Sequence, residues 1–218
     1  REQLEHTGEI DRLNMERHGA IRLGTAAELS MMRRLFAVMG MYPVGYYDLA
    51  PAGVPVHSTA FRAIDTQSLN KSPFRVFTSL LRLDLIDDEA LKQEAIAALD
   101  KRKIFTDDVI NLIKRFEEQG GLTAEDAKQF VKEALETFRW HDNTPVSKVL
   151  YQQLLSQHGL IADVVGFKGP HINHLTPRTL DIDAVQAGMQ AKGIPPKAII
   201  EGPSRRRCPI LLRQTSFK

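Results

Sequence analysis

The first 72 residues contain three short segments in which apolar and polar positions alternate, and one stretch with a helical period. Alternation predicts strands, because successive strand side chains point to opposite faces, whereas apolar spacings of three and four predict a helix. Thr25 and Glu28 form a capping box that begins this helix, and Gly40 ends it. The pattern predicts a βαββ unit, with strands at residues 17–23, 44–48 and 56–62 and a helix at residues 29–40.

Residues 73–158 follow a different pattern. Apolar positions recur at helical spacing, and the positions between them are rich in Lys and Glu, as is typical of amphipathic helices with a solvated face. We predict a helical insertion whose first helix contains Phe77, Leu80 and Leu81, followed by helices at residues 89–101, 106–120, 123–140 and 147–157.

Strand-like patterning returns after residue 158. We predict strands at residues 160–165 and 171–178, a helix from Asp181 or Asp183 that ends at Gly193, and strands at residues 198–201 and 209–218. The predicted fold is α+β, with βαββ repeats forming a curved sheet or partial barrel. The first βαββ unit covers residues 1–72, the helical insertion residues 73–158, and the second βαββ unit residues 159–218.

The two predicted units share one spacing pattern. His18-x-x-x-Arg22 opens the first unit and His174-x-x-x-Arg178 opens the second. The glycines that end the helices follow by 22 residues (18 to 40) and 19 residues (174 to 193), and the last strands by 39 (18 to 57) and 36 (174 to 210). A single difference of three residues inside the helix explains both offsets. The sequence therefore predicts a duplicated unit.

Composition excludes several classes of protein. Among 218 residues, 29 Lys and Arg balance 27 Asp and Glu for a formal charge of +2, and the arginine run at 205–207 has no aromatic platform beside it. No apolar stretch approaches the roughly 20 residues of a membrane-spanning helix. The single cysteine, Cys208, excludes an internal disulfide. We expect a cytoplasmic protein without nucleic-acid or membrane partners.

Both ends of the sequence differ from those of a complete protein. Residue 1 is Arg rather than Met, and the last segment has a strand pattern with no turn or polar tail after it. We expect a chain truncated at its C-terminus, in which a site can be incomplete.

Two histidines and one arginine are the candidate site residues. Residues i, i+2 and i+4 of a strand share a face, so His18 and Arg22 point the same way, and His174 joins His18 if the two units close into one sheet. Two imidazoles and one carboxylate form the facial triad typical of non-haem Fe(II) oxygenases. Arg22, about 13 Å along the strand from His18, suits an acidic group of a substrate. The alternative is that these histidines are ordinary core or surface residues.

Four further residues have roles that the pattern leaves open. His171 precedes His174 by three residues and faces the opposite side of a strand, which favours a structural or supporting role. His57 and Arg62 line the cavity or lie on the surface, and Arg178 repeats the position of Arg22.

Several motifs resemble those of the bacterial 2-oxoadipate dioxygenase/decarboxylase family, which is similar in its core to the vicinal oxygen chelate enzymes. They are ERHGAIR at 16–22, FAVMG at 36–40, PVGYYD at 43–48, VPVHSTAFR at 54–62, GPHINHLTPRTLDID at 169–183 and PILLRQTSFK at 209–218. The resemblance covers nearly the whole chain.

The resemblance implies roles for individual residues. The histidine of HGAIR, His18, and the histidine of NHLTPR, His174, would be metal ligands, and Arg22 would hold the substrate. The third ligand of the family is a glutamate downstream of the QTSFK stretch and therefore outside this chain.

The implied reaction is the conversion of 2-oxoadipate to 2-hydroxyglutarate and CO2 with Fe(II) and O2, a step of lysine breakdown. Two alternatives use the same fold. One is a non-catalytic small-molecule-binding protein, and the other is a metal-dependent lyase or isomerase that needs no oxygen.

Overall fold

A computed structural model describes residues 5–6, 15, 17–174 and 182–196. Its described strands form one open five-stranded sheet in the order β2-β3-β4-β1-β5. β1 and β4 are parallel, and the remaining neighbours are antiparallel. The strands are β1 (Arg17–Leu23), β2 (Tyr42–Asp48), β3 (Val56–Arg62), β4 (Phe74–Leu81) and β5 (Ile172–His174). The strands predicted at residues 17–23 and 56–62 are confirmed.

Eight described helices surround this sheet. They are α1 (Ala26–Val38), α2 (Thr66–Lys71), α3 (Glu89–Asp100), α4 (Asp107–Gln119), α5 (Ala124–Thr137), α6 (Lys148–Gln157), α7 (Gly159–Gly166) and α8 (Ile182–Ala191). The predicted capping box is present, since the Glu28 N–H donates to Thr25 Oγ1 at 3.1 Å. Gly40 follows α1 with a φ of 73°, a left-handed conformation that favours glycine. None of the described helices is both long and apolar enough to cross a membrane.

Two hydrophobic clusters hold the fold together. The first lies on the sheet face that carries Ile21, Leu23 and Val76, where helices α1, α4 and α5 pack. The second joins Leu81 at the end of β4 to helices α3, α6 and α7. Because the first cluster covers one face of β1, the alternate positions of that strand belong to the other face of the sheet.

The prediction of a helix through Phe77, Leu80 and Leu81 was wrong. This segment is β4, which pairs with β1 on one side and with β3 on the other. Apolar residues at both faces of a central strand mimic helical spacing, and the hydrogen bonds of two neighbouring strands decide the conformation. The division of the chain at residues 72 and 158 stays a prediction.

The strand predicted at residues 160–165 was also wrong, since these residues lie in helix α7. A short, continuous apolar run fits a buried strand or a buried helix equally well. Here His158 caps the helix, accepting from the Leu160 N–H at 3.0 Å. Four of its apolar residues enter the second cluster, namely Ile161, Ala162, Val164 and Val165.

Several predictions concern residues outside the described part. Of the strand predicted at residues 171–178, the structure describes a strand at Ile172–His174. Arg178, Cys208 and the strands predicted at residues 198–201 and 209–218 lie outside the described residues. The predicted helix before Gly193 is confirmed as α8.

One buried ion pair connects the sheet with the second cluster. The Glu28 carboxylate accepts from the Gly24 N–H at 2.7 Å and from Nε and Nη2 of Arg102 at 2.8 and 2.6 Å. Arg102 Nη1 also donates to the Val164 carbonyl of α7 at 2.8 Å. The side chains of Arg102 and Glu28 are only 3% and 8% exposed. Neither charge can be solvated if its partner is removed.

We therefore expect Arg102→Met to lower the free energy of unfolding by about 3–5 kcal/mol, because it leaves Glu28 as an unpaired buried charge. The matched control is Arg115→Met, which breaks the partly exposed pair with Asp126 and should cost about 1 kcal/mol or less. Urea denaturation followed by circular dichroism measures both values. Equal losses in the two variants would contradict the role of the buried pair.

Candidate functional site

The candidate site lies on the sheet face opposite the first hydrophobic cluster. His18, Ala20 and Arg22 belong to this face, since Ile21 and Leu23 occupy the other. In register, His18 lies beside Arg75 of β4, and Arg75 lies beside Arg62 of β3. This face therefore carries one histidine and three arginine positions.

A row of hydroxyl groups continues from Arg22 across the same face. Arg22 lies beside Ser79 of β4, which lies beside Ser58 of β3, and the two serine hydroxyls are 2.9 Å apart. Tyr47 of β2 is next in register, and its ring contacts Phe77. The row places small polar groups next to a cation, an arrangement suited to an anionic ligand.

His18 and His174 lie in neighbouring strands. β1 and β5 are antiparallel, and His174 lies opposite Gly19, one position from His18. The His18 residue is 6% exposed, which is unusual for a polar side chain. The two strands that carry these histidines are therefore neighbours in the sheet, as predicted, but the register pairs His174 with Gly19 rather than with His18. The assignment of both histidines as metal ligands stays a prediction.

The third candidate, Arg22, contacts a residue that the sequence patterns did not single out. Its Nη1 donates to Oδ2 of Asp163, and the other carboxylate oxygen, Oδ1, contacts Nδ1 of His171. The Arg22 side chain is 30% exposed, that of Asp163 19%, and that of His171 9%. A signal for Asp163 existed, since it is the one charged residue in an apolar run, where a carboxylate needs a partner.

Aromatic rings hold His171 in place. The Trp140 ring stacks on the imidazole at 4.2 Å between centroids, with 16° between the planes, and the Phe167 ring lies 4.4 Å away. Nε2 of His171 lies 3.5 Å from the His141 carbonyl oxygen. The structural role expected for His171 fits these contacts, and they add a link to Arg22 through Asp163.

The structure separates His57 from the candidate site. His57 shares a strand face with Thr59 and Phe61, opposite that of Ser58. Its Nε2 accepts from Nη1 of Arg82 at 2.7 Å, beside Asp48 of the neighbouring strand. Arg82 also forms two hydrogen bonds with Asp84, which hold the pKa of that carboxyl below its ordinary value. His57 therefore belongs to a polar network at the end of the sheet.

Arg62, the other residue left open, belongs to the face of His18 by register. Its Nη1 donates to the Ala63 carbonyl at 2.8 Å, beyond the end of β3. Among the described residues, no group of three or more His, Cys, Asp and Glu side chains is arranged to hold a metal ion. The two histidine positions would supply part of a metal site, not all of it.

A family model described as 2-oxoadipate dioxygenase/decarboxylase matches residues 1–218. The chain belongs to this family. It is 69% identical over 217 residues to a 2-oxoadipate dioxygenase/decarboxylase of Pseudomonas putida, covering 100% of this chain and 47% of that relative. The chain spans about half the length of the curated relatives it matches.

Solved structures agree with the family assignment. Hydroxyglutarate synthase from Pseudomonas putida in complex with 2-oxoadipate superposes with a TM-score of 0.89 at 68% identity, covering 99% of this chain and 48% of that one. A glyoxalase superfamily protein from Ralstonia eutropha JMP134 superposes with a TM-score of 0.66 at 16% identity, covering 92% and 68%. The predicted α+β fold is confirmed, and this glyoxalase superfamily protein shares it.

Proposed function

We propose that the protein containing this chain is a 2-oxoadipate dioxygenase/decarboxylase, which converts 2-oxoadipate and O2 to 2-hydroxyglutarate and CO2. The atoms balance, because the five oxygens of the substrate and the two of O2 equal the five of the product and the two of CO2. The observation that carries the proposal is the sheet face with buried His18 and half-buried Arg22, in a chain of this family.

We further propose that His18 and His174 hold Fe(II). The strands that carry the two histidines, β1 and β5, are neighbours in the sheet, and two imidazoles are two of the three protein ligands of a facial triad. Burial of His18 supports this assignment, because a buried imidazole gains by giving its lone pair to a cation. The metal would bind the 2-oxo acid end of the substrate and activate O2. We assign the third ligand to no residue of this chain.

Arg22 would receive the distal carboxylate of the substrate. It lies four residues from His18 on the same strand face, about 13 Å along the strand, so the two ends of an extended diacid reach different groups. A guanidinium forms two parallel hydrogen bonds with a carboxylate, which fixes orientation as well as charge. This pairing would place the reacting end of 2-oxoadipate at the histidines.

The cellular setting is a proposal of the same kind. A place in lysine breakdown is what the resemblance to the family implies. A cytoplasmic location is supported by the single cysteine, since disulfide-poor chains are typical of reducing compartments.

We expect His18→Ala to abolish Fe(II) binding and 2-oxoadipate-dependent oxygen uptake in the full-length protein. The matched control is His57→Ala, which removes a histidine from the opposite face of the same sheet and should leave both properties unchanged. Calorimetric titration of Fe(II) without oxygen and an oxygen electrode measure the two properties.

Other outcomes of this experiment identify the alternatives. Metal binding without oxygen uptake would favour a lyase or isomerase, and absence of both in the unsubstituted protein would favour a binding protein. Full activity in His18→Ala would contradict its role as a ligand.

We expect Arg22→Ala to reduce the preference for 2-oxoadipate over 2-oxohexanoate, a monoacid of equal length, on the order of 10-fold or more. The measurement is the ratio of kcat/KM for the two acids in each protein. This ratio is independent of the fraction of folded enzyme, so partial loss of stability does not affect it. An unchanged ratio would show that Arg22 does not select the diacid.

A further inference from the structure

We infer that Asp163 and His171 are positioning residues that hold Arg22 in the orientation in which it receives the distal carboxylate of the substrate. The inference rests on the proposed function, because it concerns the preference for the diacid substrate. It assigns this preference to Arg22, Asp163 and His171 together rather than to Arg22 alone. Asp163 comes from helix α7 and His171 from the segment before β5, so two separate elements converge on a residue of β1.

The hydrogen bonds of Asp163 are divided between two partners. Oδ2 accepts from Nη1 of Arg22, and Oδ1 accepts from Nδ1 of His171. Within the described part of the chain, Nη1 is the one guanidinium nitrogen of Arg22 with a side-chain hydrogen bond. A guanidinium has five N–H donors in a planar fork. The contact with Asp163 thus holds one end of the fork and, being a single hydrogen bond, uses only one of these donors.

His171 adjusts how strongly Asp163 engages Arg22. An ionised carboxylate only accepts hydrogen bonds, so Nδ1 of His171 donates to it. This bond satisfies part of the negative charge of Asp163 from the side away from Arg22. The guanidinium therefore keeps more of its attraction for a substrate carboxylate than it would beside an aspartate with no other donor.

Packing makes the chain of contacts rigid. Ala162 and Val164, on either side of Asp163, are buried in the second cluster, and the Val164 carbonyl accepts from Arg102. The imidazole of His171 is stacked on Trp140 and is 9% exposed. Exposure rises from His171 through Asp163 to Arg22, so the anchored end is buried and the binding end faces the site.

The first test is Asp163→Asn in the full-length, metal-loaded protein. The measurements are kcat/KM for 2-oxoadipate and 2-oxohexanoate, and the dissociation constants of both acids by calorimetry without oxygen. We expect affinity for the diacid to fall about 10-fold while that for the monoacid stays the same. A purely structural role of Asp163 would change both acids equally.

The matched control is Asp126→Asn. Asp126 also pairs with an arginine, Arg115, and its side chain is 18% exposed, against 19% for Asp163. It lies on helix α5, which packs against the other face of the sheet. We expect the preference for the diacid to be unchanged in this variant.

A second pair of variants tests the contacts among Arg22, Asp163 and His171 in case Asp163→Asn does not fold. His171→Asn keeps an N–H donor near the position of Nδ1, whereas His171→Phe keeps a ring against Trp140 and removes the donor. We expect the asparagine variant to retain the diacid preference and the phenylalanine variant to lose it. Equal behaviour of the two variants would overturn the role of His171.

The outcomes separate this inference from the proposed function. If the unsubstituted protein neither binds nor consumes 2-oxoadipate, the proposed function fails and the inference fails with it. If the unsubstituted protein prefers the diacid, Arg22→Ala loses that preference and Asp163→Asn keeps it, the inference alone is overturned.

Discussion

The buried carboxylate of Glu28 determines how the sheet packs against the helices of the second cluster. It accepts the Gly24 N–H at the beginning of α1 and the guanidinium of Arg102, which follows helix α3. Arg102 extends the connection to the Val164 carbonyl of α7. Loss of either partner while the other stays buried would leave an unpaired charge, which costs several kcal/mol in the protein interior. The packing of α7 against the sheet is therefore fixed electrostatically as well as by apolar contacts.

The contact of Arg102 with α7 also affects the candidate site. Val164 is adjacent to Asp163, so the contact that fixes α7 also fixes the carboxylate that meets Arg22. The apolar cluster on the opposite face has a complementary effect. By burying Ile21 and Leu23, it leaves the intervening positions of β1, His18 and Arg22, on the face where polar groups collect. The site is thus a consequence of which face the helices cover.

Local signals predicted much of the fold. The Thr25–Glu28 capping box and the left-handed Gly40 marked both ends of α1, because a cap depends on a few neighbouring residues. The same reasoning failed at residues 74–81 and 160–165, where an apolar run fits either a buried strand or a buried helix. In both segments the neighbouring elements determine the conformation. Residues 74–81 form a strand because β1 and β3 flank them on either side. Residues 160–165 form a helix that His158 caps and that packs into the second cluster.

The sequence by itself determined the family and the shared face of His18 and Arg22, because strand alternation is a property of the backbone that needs no partner. It also pointed to the pairing of the two histidine-bearing strands through the repeated His-x-x-x-Arg spacing. Only the tertiary structure decided what Arg22 contacts. Asp163 lies 141 residues away along the chain, and its carboxylate reaches the guanidinium because α7 is a helix held against the sheet by buried contacts. A pairing over that distance depends on packing, which no local pattern encodes.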